Sequence, residues 1–189
     1  RGNWIQNLIA NYKKDLKEKK LNLDDDYIKF IRFGENLIEK NGEGILAFIS
    51  NNSFIDGITH RGMRKCLLET FDKIYILDLH GNSKKKEISP DGSKDENVFD
   101  IQQGVSINLF VKINNLMKKK VGKVFHFDLY GKRKSKYEFL LNTFQKSLKW
   151  NTLDFNDPYY FFVPKDFNGK ELYNKGFSLE DLFLFNNTG

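Results

Sequence analysis

The chain has 189 residues, with 31 basic and 25 acidic side chains and a formal net charge of +6. That length suits one domain, or one small domain with part of another, and buries about 70% of its unfolded surface without a disulfide or metal staple. The single cysteine, Cys66, cannot pair within the chain, no Cys/His cluster has zinc-ligand spacing, and no apolar run approaches the roughly 20 residues of a membrane helix.

A reducing, cytoplasmic setting with no metal and no membrane association is therefore expected. The basic excess permits phosphate contacts, although a composition rich in Lys, Asn, Ile and Phe can equally reflect biased codon usage. The chain opens at Arg1 rather than at methionine, which suggests removal of something upstream.

Trp4, Ile5, Leu8, Ile9, Tyr12 and Leu16 recur at helical spacing and predict a helix from Trp4 to Lys20. Asp24-Asp25-Asp26 then reads as a capping cluster rather than a metal site. The helix that follows, from Asp25 to Lys40, puts Tyr27, Phe30, Ile31, Gly34, Leu37 and Ile38 on one face. Asn41-Gly42 supplies its left-handed stop. Ile45 to Ser50 is a continuous apolar run, which predicts a strand covered on both faces. A helix from Gly62 to Phe71 and a strand from Lys73 to Leu79 follow, and this alternation indicates an open α/β sheet.

From His80 to Glu96 the sequence is rich in Gly, Asn, Ser and Lys and reads as a mobile loop. A strand from Gly104 to Val111 comes next. With no helical pattern in between, it is expected to pair antiparallel with the preceding strand. Lys118-Lys119-Lys120 marks a charged break, so a boundary is placed near Asn115. Beyond it, Val124 to Leu129 reads as a short strand and Lys134 to Leu148 as a helix. Aromatic segments at Tyr159 to Val163 and Leu182 to Phe185 close the chain.

The three histidines, His60, His80 and His126, are widely spaced and read as surface or loop residues, so no hydrolase triad is expected. No Walker loop or Gly-x-Gly-x-x-Gly turn occurs. Lys84, Lys85 and Lys86 are candidate phosphate contacts or, alternatively, a solvated loop. Arg61 and Arg64 are likewise within reach of phosphate in principle, with an exposed helix position the alternative for Arg64. Asn51, Asn52 and Ser53 follow the carboxyl end of the first strand, where open α/β sheets bind ligands. They are candidates for a pocket edge or a DNA contact; capping and turn formation is the alternative.

One combination is more specific. It runs from Tyr27 to Phe33, through Gly44-Ile-Leu-Ala-Phe-Ile-Ser-Asn51-Asn52-Ser53-Phe54-Ile-Asp56-Gly57 and Gly62-Met63-Arg64, to Asp78-Leu79-His80-Gly81-Asn82. It ends with Asn97-Val98-Phe99-Asp100 and Gly104-Val105-Ser106-Ile107. This resembles the C-terminal half of N6-adenine DNA methyltransferase domains, above all those of single-polypeptide (type ISP-like) type I restriction-modification enzymes. The resemblance covers residues 1–115. It continues more weakly to Gly189, where Tyr160-Phe-Phe-Val-Pro164 and Asn186-Asn-Thr-Gly189 look like the run into a target-recognition domain.

The resemblance implies an α/β fold: a partial Rossmann-like methyltransferase sheet with a terminal antiparallel hairpin over 1–115, then a connector and the start of an α+β target-recognition region over 116–189. It implies methyl transfer from S-adenosylmethionine to a flipped adenine in double-stranded DNA, in a bacterial restriction-modification system. It also implies partner domains in the same polypeptide: the donor-binding half, helicase, nuclease and target recognition. The glycine motif that binds the donor and the Asn-Pro-Pro-Tyr type tetrapeptide that holds the amino group do not occur in this chain. The resemblance places both before Arg1, so the chain alone is expected to be inactive. Asp157-Pro158-Tyr159-Tyr160 is no substitute, lacking the second proline and following the strands it should precede.

Phe99 sits where the resemblance places an aromatic ring beside the flipped adenine; packing under the lysine loop is its alternative. A non-catalytic DNA-binding or assembly module is the competing reading, and a methyltransferase acting on RNA or protein shares the fold.

Overall fold

The computed structural model describes residues 4–18, 22–113, 121–154, 157–169, 172–173 and 175–176. Five strands, β1 (Gly44–Asn51), β2 (Lys73–Asp78), β3 (Val105–Lys112), β4 (Lys123–Asp128) and β5 (Asn151–Leu153), form one mixed sheet in the order β1-β3-β2-β4-β5. β3 pairs antiparallel with β2, from Lys73 opposite Val111 to Asp78 opposite Ser106, which is the expected hairpin. It pairs antiparallel with β1 as well, Gly44 opposite Lys112, and so lies between the two strands that precede it. β4 runs parallel to β2, and β5 returns antiparallel beside β4.

The sheet does not stop at the expected boundary near Asn115, because β4 and β5 lie beyond it and extend the same sheet to Leu153. Asn115, Lys118 to Lys120, Leu182 to Phe185 and Asn186 to Gly189 fall outside the described residues.

Helices α1 (Trp4–Lys13), α2 (Asp26–Asn41) and α4 (Arg61–Thr70), with the single turn α3 (Ser53–Asp56), belong to one side of the sheet. Their buried residues, Ile9, Ile31, Phe54, Met63 and Leu67 among them, pack with Ile74, Ile76, Phe110 and Val124. The opposite side receives α5 (Arg133–Asn142), where Leu140 and Trp150 close over Leu77, Ile107 and Phe127. Tyr75 and Phe125 stack there across neighbouring strands at 4.8 Å. Gly42 ends α2 as expected: its φ of 88° is left-handed, and its N–H returns to the Ile38 carbonyl.

Several expectations are corrected. β1 is not covered on both faces: its residues alternate, and Ile45 and Ile49 are 70% and 53% exposed. The reason is that α5 and Trp150 cover β2, β3 and β4 on that face and leave the β1 edge open. Phe30 and Leu37 are exposed as well, since α2 turns Ile28, Ile31 and Glu35 inward instead. α1 ends at Lys13, where the chain turns so that Leu16 and Leu23 reach the core and Lys13 meets Asp24 at 2.8 Å. α5 ends at Asn142 rather than Leu148; Thr143 is extended, and the indole N–H of Trp150 is held by the Gln145 carbonyl.

All three histidines are buried, not on the surface. Arg64 is fully buried rather than an exposed helix residue. Its guanidinium donates to the carbonyls of Phe54, Gly57 and Tyr159 at 2.6–2.9 Å. Tyr159, the aromatic next to Pro158, thus serves α4 through its backbone. No helix among the described residues is long and apolar enough to cross a membrane.

Candidate functional site

The segment between β2 and β3 leaves the carboxyl end of β2 through two consecutive left-handed residues, His80 at φ 52° and Gly81 at φ 79°. Gly81 is required there on two counts. A side chain would strain the backbone, and a Cβ would lie 2.4 Å from the Asn97 Cα. That close approach lets Asn97 organise the turn. Its amide donates to the carbonyls of Gly81 at 3.1 Å and Gln103 at 2.6 Å, and its oxygen accepts the Phe99 N–H at 2.9 Å.

Phe99 itself is 43% exposed, on the rim of an open cleft of about 540 Å³ shared with Gly81, Ser83, Lys94, Asn97 and Arg133. The ring is therefore presented by a braced turn rather than packed beneath the lysine segment.

The segment is a loop, as its composition indicates, but it is tied down. Asp95 accepts the Gly81 and Gly131 N–H groups at 2.7 Å each and pairs with Lys136 at 2.8 Å. Lys136, fully buried, also donates to the carbonyls of Leu79 and Glu96. A further antiparallel bridge joins Ile88 to Lys94.

On the other side of the loop, a second cleft of about 270 Å³ is lined by Asn52, Asp56, Asp78, His80, Glu87 and Asp128. His80 Nε2 and His126 Nε2 both reach Asp128 Oδ1, at 2.9 and 3.0 Å, although sequence spacing set these histidines in separate surroundings. Burial alone would lower the His80 pKa, but hydrogen bonds to Asp128 and Glu87 and the charge of Asp78 prevail and raise it to about 9. Burial would raise the Asp128 carboxyl, yet the two histidine hydrogen bonds hold it far below the usual carboxylate range. The His80 ring stacks on Tyr130 with centroids 3.8 Å apart.

Asp78, His80 and Asp128 bring one potential ligand atom each within 4.8 Å of one another. The imidazole already lies between the carboxylates, so a protonated His80 balances them as an ion-pair network. His60 is different. Burial and the neighbouring Arg64 charge lower it to about 4, which leaves it neutral at ordinary pH.

The sequence-selected residues divide among these places. Asn52 and Lys85 line the acidic cleft with His80, and Phe99 lines the other cleft. The Asn52 amide donates to Asp78 at 2.9 Å, and its N–H meets the Gly104 carbonyl at 3.0 Å. Asn51 and Ser53 engage each other: Asn51 Oδ1 accepts from the Ser53 N–H and hydroxyl at 2.8 and 2.7 Å, as in a cap. Lys84, Lys85 and Lys86 are all exposed, and Lys85 also faces Asp56 at 3.5 Å. Arg61 lines neither cleft; it pairs with both carboxylate oxygens of Glu18.

Sequence reasoning missed Asn97 as a brace, and missed Arg133, Lys136 and Tyr137 of α5. Nothing local marks the three α5 residues, because their partners lie 34–57 residues away.

Neither a protein-family model nor a curated protein matches this chain. Solved structures do. The cryo-EM structure of a DrdV–DNA complex matches 82% of this chain at 28% identity, with a TM-score of 0.70. The ATP-dependent type ISP restriction-modification enzyme LlaBIII bound to DNA matches 90% at 28% identity and 0.73. This chain shares its fold with type ISP restriction-modification enzymes. A nuclease-deletion mutant of the type ISP enzyme LlaGI, in complex with a DNA substrate mimic, matches 88% at 23% identity and 0.73, a likeness of fold alone. The chain spans 15%, 12% and 14% of those three proteins, a small part of each.

Proposed function

We propose that this chain is part of a DNA-acting restriction-modification protein and that it carries the base-holding edge of an N6-adenine methyltransferase domain. The observation that supports this most directly is Phe99: a large aromatic ring, partly exposed, on a turn whose backbone is fixed by Asn97 and α5. An adenine inside a duplex is out of reach of any enzyme group, so it must leave the stack and be held elsewhere. A flat ring on a preorganised turn gives an extruded base a stacking partner at little entropic cost. The likeness to proteins solved with DNA supports DNA as the partner, in double-stranded form in this reading. Lys84 and Lys86, exposed on the β2–β3 segment that also carries Phe99, are the phosphate contacts of this reading; Lys85, facing Asp56, is a weaker one, and Arg61, held by Glu18, is not one. Asn51, Asn52 and Ser53 shape the adjoining edge.

S-adenosylmethionine supplies the methyl group in such a reaction. At the turn from β1 to α3 the side chains of Asn51 and Asn52 are engaged with Ser53 and Asp78, where a donor-binding turn needs glycine and open space, which supports a donor site made mainly by residues outside this chain. The donor and the residues that hold the amino nitrogen belong to other parts of a longer protein in this reading. Holding the base in place is what this chain contributes.

The test is methyl transfer by the full-length protein. Labelled methyl on adenine N6 of DNA is the expected product; label on cytosine or on protein would sink the adenine assignment. DNA binding with no transfer at all would instead favour a non-catalytic module. Phe99→Ala should weaken binding to a duplex whose adenine faces an abasic site, and unchanged binding and turnover would refute the stacking role.

A further inference from the structure

The turn that carries Phe99 has no strand or helix of its own, yet four successive carbonyls in it are occupied. Glu96 O accepts from Lys136 Nζ and Asn97 O from Arg133 Nε, both at 2.7 Å. Val98 O accepts from the Tyr137 hydroxyl, and Phe99 O from Arg133 Nη2 at 3.1 Å. Every donor is a side chain of α5. Their spacing, i, i+3 and i+4, places them on one helical face, so a single helix grips the turn along its length. Asn97 Oδ1 holds the Phe99 N–H from the other side.

Satisfying buried polar groups does not account for all of this. The Lys136 contact is buried, but Phe99 O is at the exposed end of the turn, where water would serve it equally well. Arg133 is itself 39% exposed and has a carboxylate partner in Asp100 at 2.7 Å. A guanidinium fork spread over Asn97 O, Phe99 O and Asp100 fixes direction, because its planar donors cannot follow the turn if it rotates.

We infer that Arg133 and Tyr137 are positioning residues for Phe99: α5, reaching across from beyond β4, sets the angle at which the ring meets an extruded base. The inference rests on the base-contact reading of Phe99. Neither residue touches the base; both act through the backbone of the turn.

The experiment places 4-fluorophenylalanine at position 99 alone and follows its ¹⁹F resonance in the protein and in Tyr137→Phe, Arg133→Met and double variants. The probe DNA is a duplex with adenine opposite an abasic site, compared with the fully paired duplex. The resonance is expected to broaden or split in the double variant while a label at Phe125, on β4, stays unchanged. Affinity for the abasic-site duplex should fall roughly two- to tenfold, the scale of one or two hydrogen bonds, with binding to the paired duplex preserved. Arg133→Lys should not restore it, because lysine keeps the charge but loses the fork.

A position-99 resonance that is unchanged in the double variant overturns the inference, whatever DNA binding does. A resonance that responds to the variants but never to DNA leaves α5 as the device that fixes the ring and refutes the base-contact reading. Tyr137→Phe removes one oxygen only, so the comparison survives even if Arg133→Met compromises folding.

Discussion

The ammonium of Lys136 lies 2.8 Å from the carboxylate of Asp95, and neither side chain has any exposed surface. Removing one member of a fully buried pair strands the other charge, at a cost of about 3–5 kcal/mol. Asp95 keeps two backbone donors, Gly81 and Gly131, so the loss for Lys136→Met is expected at the lower end, about 3 kcal/mol. Urea denaturation should show it as a lower midpoint. The Asp95→Asn, Lys136→Met double variant should recover part of it; strict additivity of the two single changes would show that the pair is not coupled.

Arg64 makes a parallel prediction on the other side of the sheet. Its donors meet three carbonyls from two separate segments, Phe54 and Gly57 at α3 and Tyr159, 95 residues away. Lysine has no fork to span them. Arg64→Lys should therefore destabilise the fold by about 2–3 kcal/mol, near the cost of leaving buried carbonyls unpaired. It should also release the segment around Tyr159 to proteolysis before the sheet unfolds. A lysine variant with wild-type stability and protease resistance would contradict this.

Arg64 also shows where the sequence stops being readable. The periodicity of residues 62–71 identifies the helix, and the apolar runs identify β1, β2 and β3, because both signals are local. In Gly62-Met63-Arg64-Lys65 the arginine looks like a surface residue. It is buried because Phe54, Gly57 and Tyr159 converge on it, and no local pattern encodes that. The same holds for His80 and His126 meeting at Asp128, and for β3 inserting between β1 and β2. Phe99 could be selected through a family resemblance, whereas Arg133 and Tyr137, which hold it, could not. Their bonds go to backbone carbonyls, which every residue type offers alike.

His80 gives a pH dependence with a defined sign. Its folded pKa, about 9, lies above its unfolded value of about 6.5. Such a group stabilises the fold in full below 6.5, and the contribution fades as pH rises through 9. The gap corresponds to roughly 3 kcal/mol. Tyr130, raised to about 12 by burial and nearby carboxylates, stays silent in this window, and His60, lowered to about 4 by burial, acts only on the acid side. Melting temperature is therefore expected to decline between pH 6.5 and 9, and His80→Asn should flatten that decline. An equally steep decline in the variant would place its origin elsewhere.

The lysines of the loop separate by partner rather than by position. All three are exposed, but Lys85 is drawn to Asp56 at 3.5 Å, and Arg61 is bound to Glu18. A phosphate contact releases condensed counterions, so each genuine contact adds about 0.9 to the slope of log affinity against log salt. Lys84→Ala and Lys86→Ala should each weaken binding to duplex DNA uniformly across sequences and lower that slope by about 1. Lys85→Ala should have a smaller effect, since the lysine must leave Asp56 to reach phosphate. Arg61→Ala should change stability through Glu18 while leaving the slope alone. Salt titrations of the four variants on one duplex decide it: equal slopes for all four would mean that the loop does not face the DNA backbone, and a change at Arg61 alone would move the DNA path toward α4.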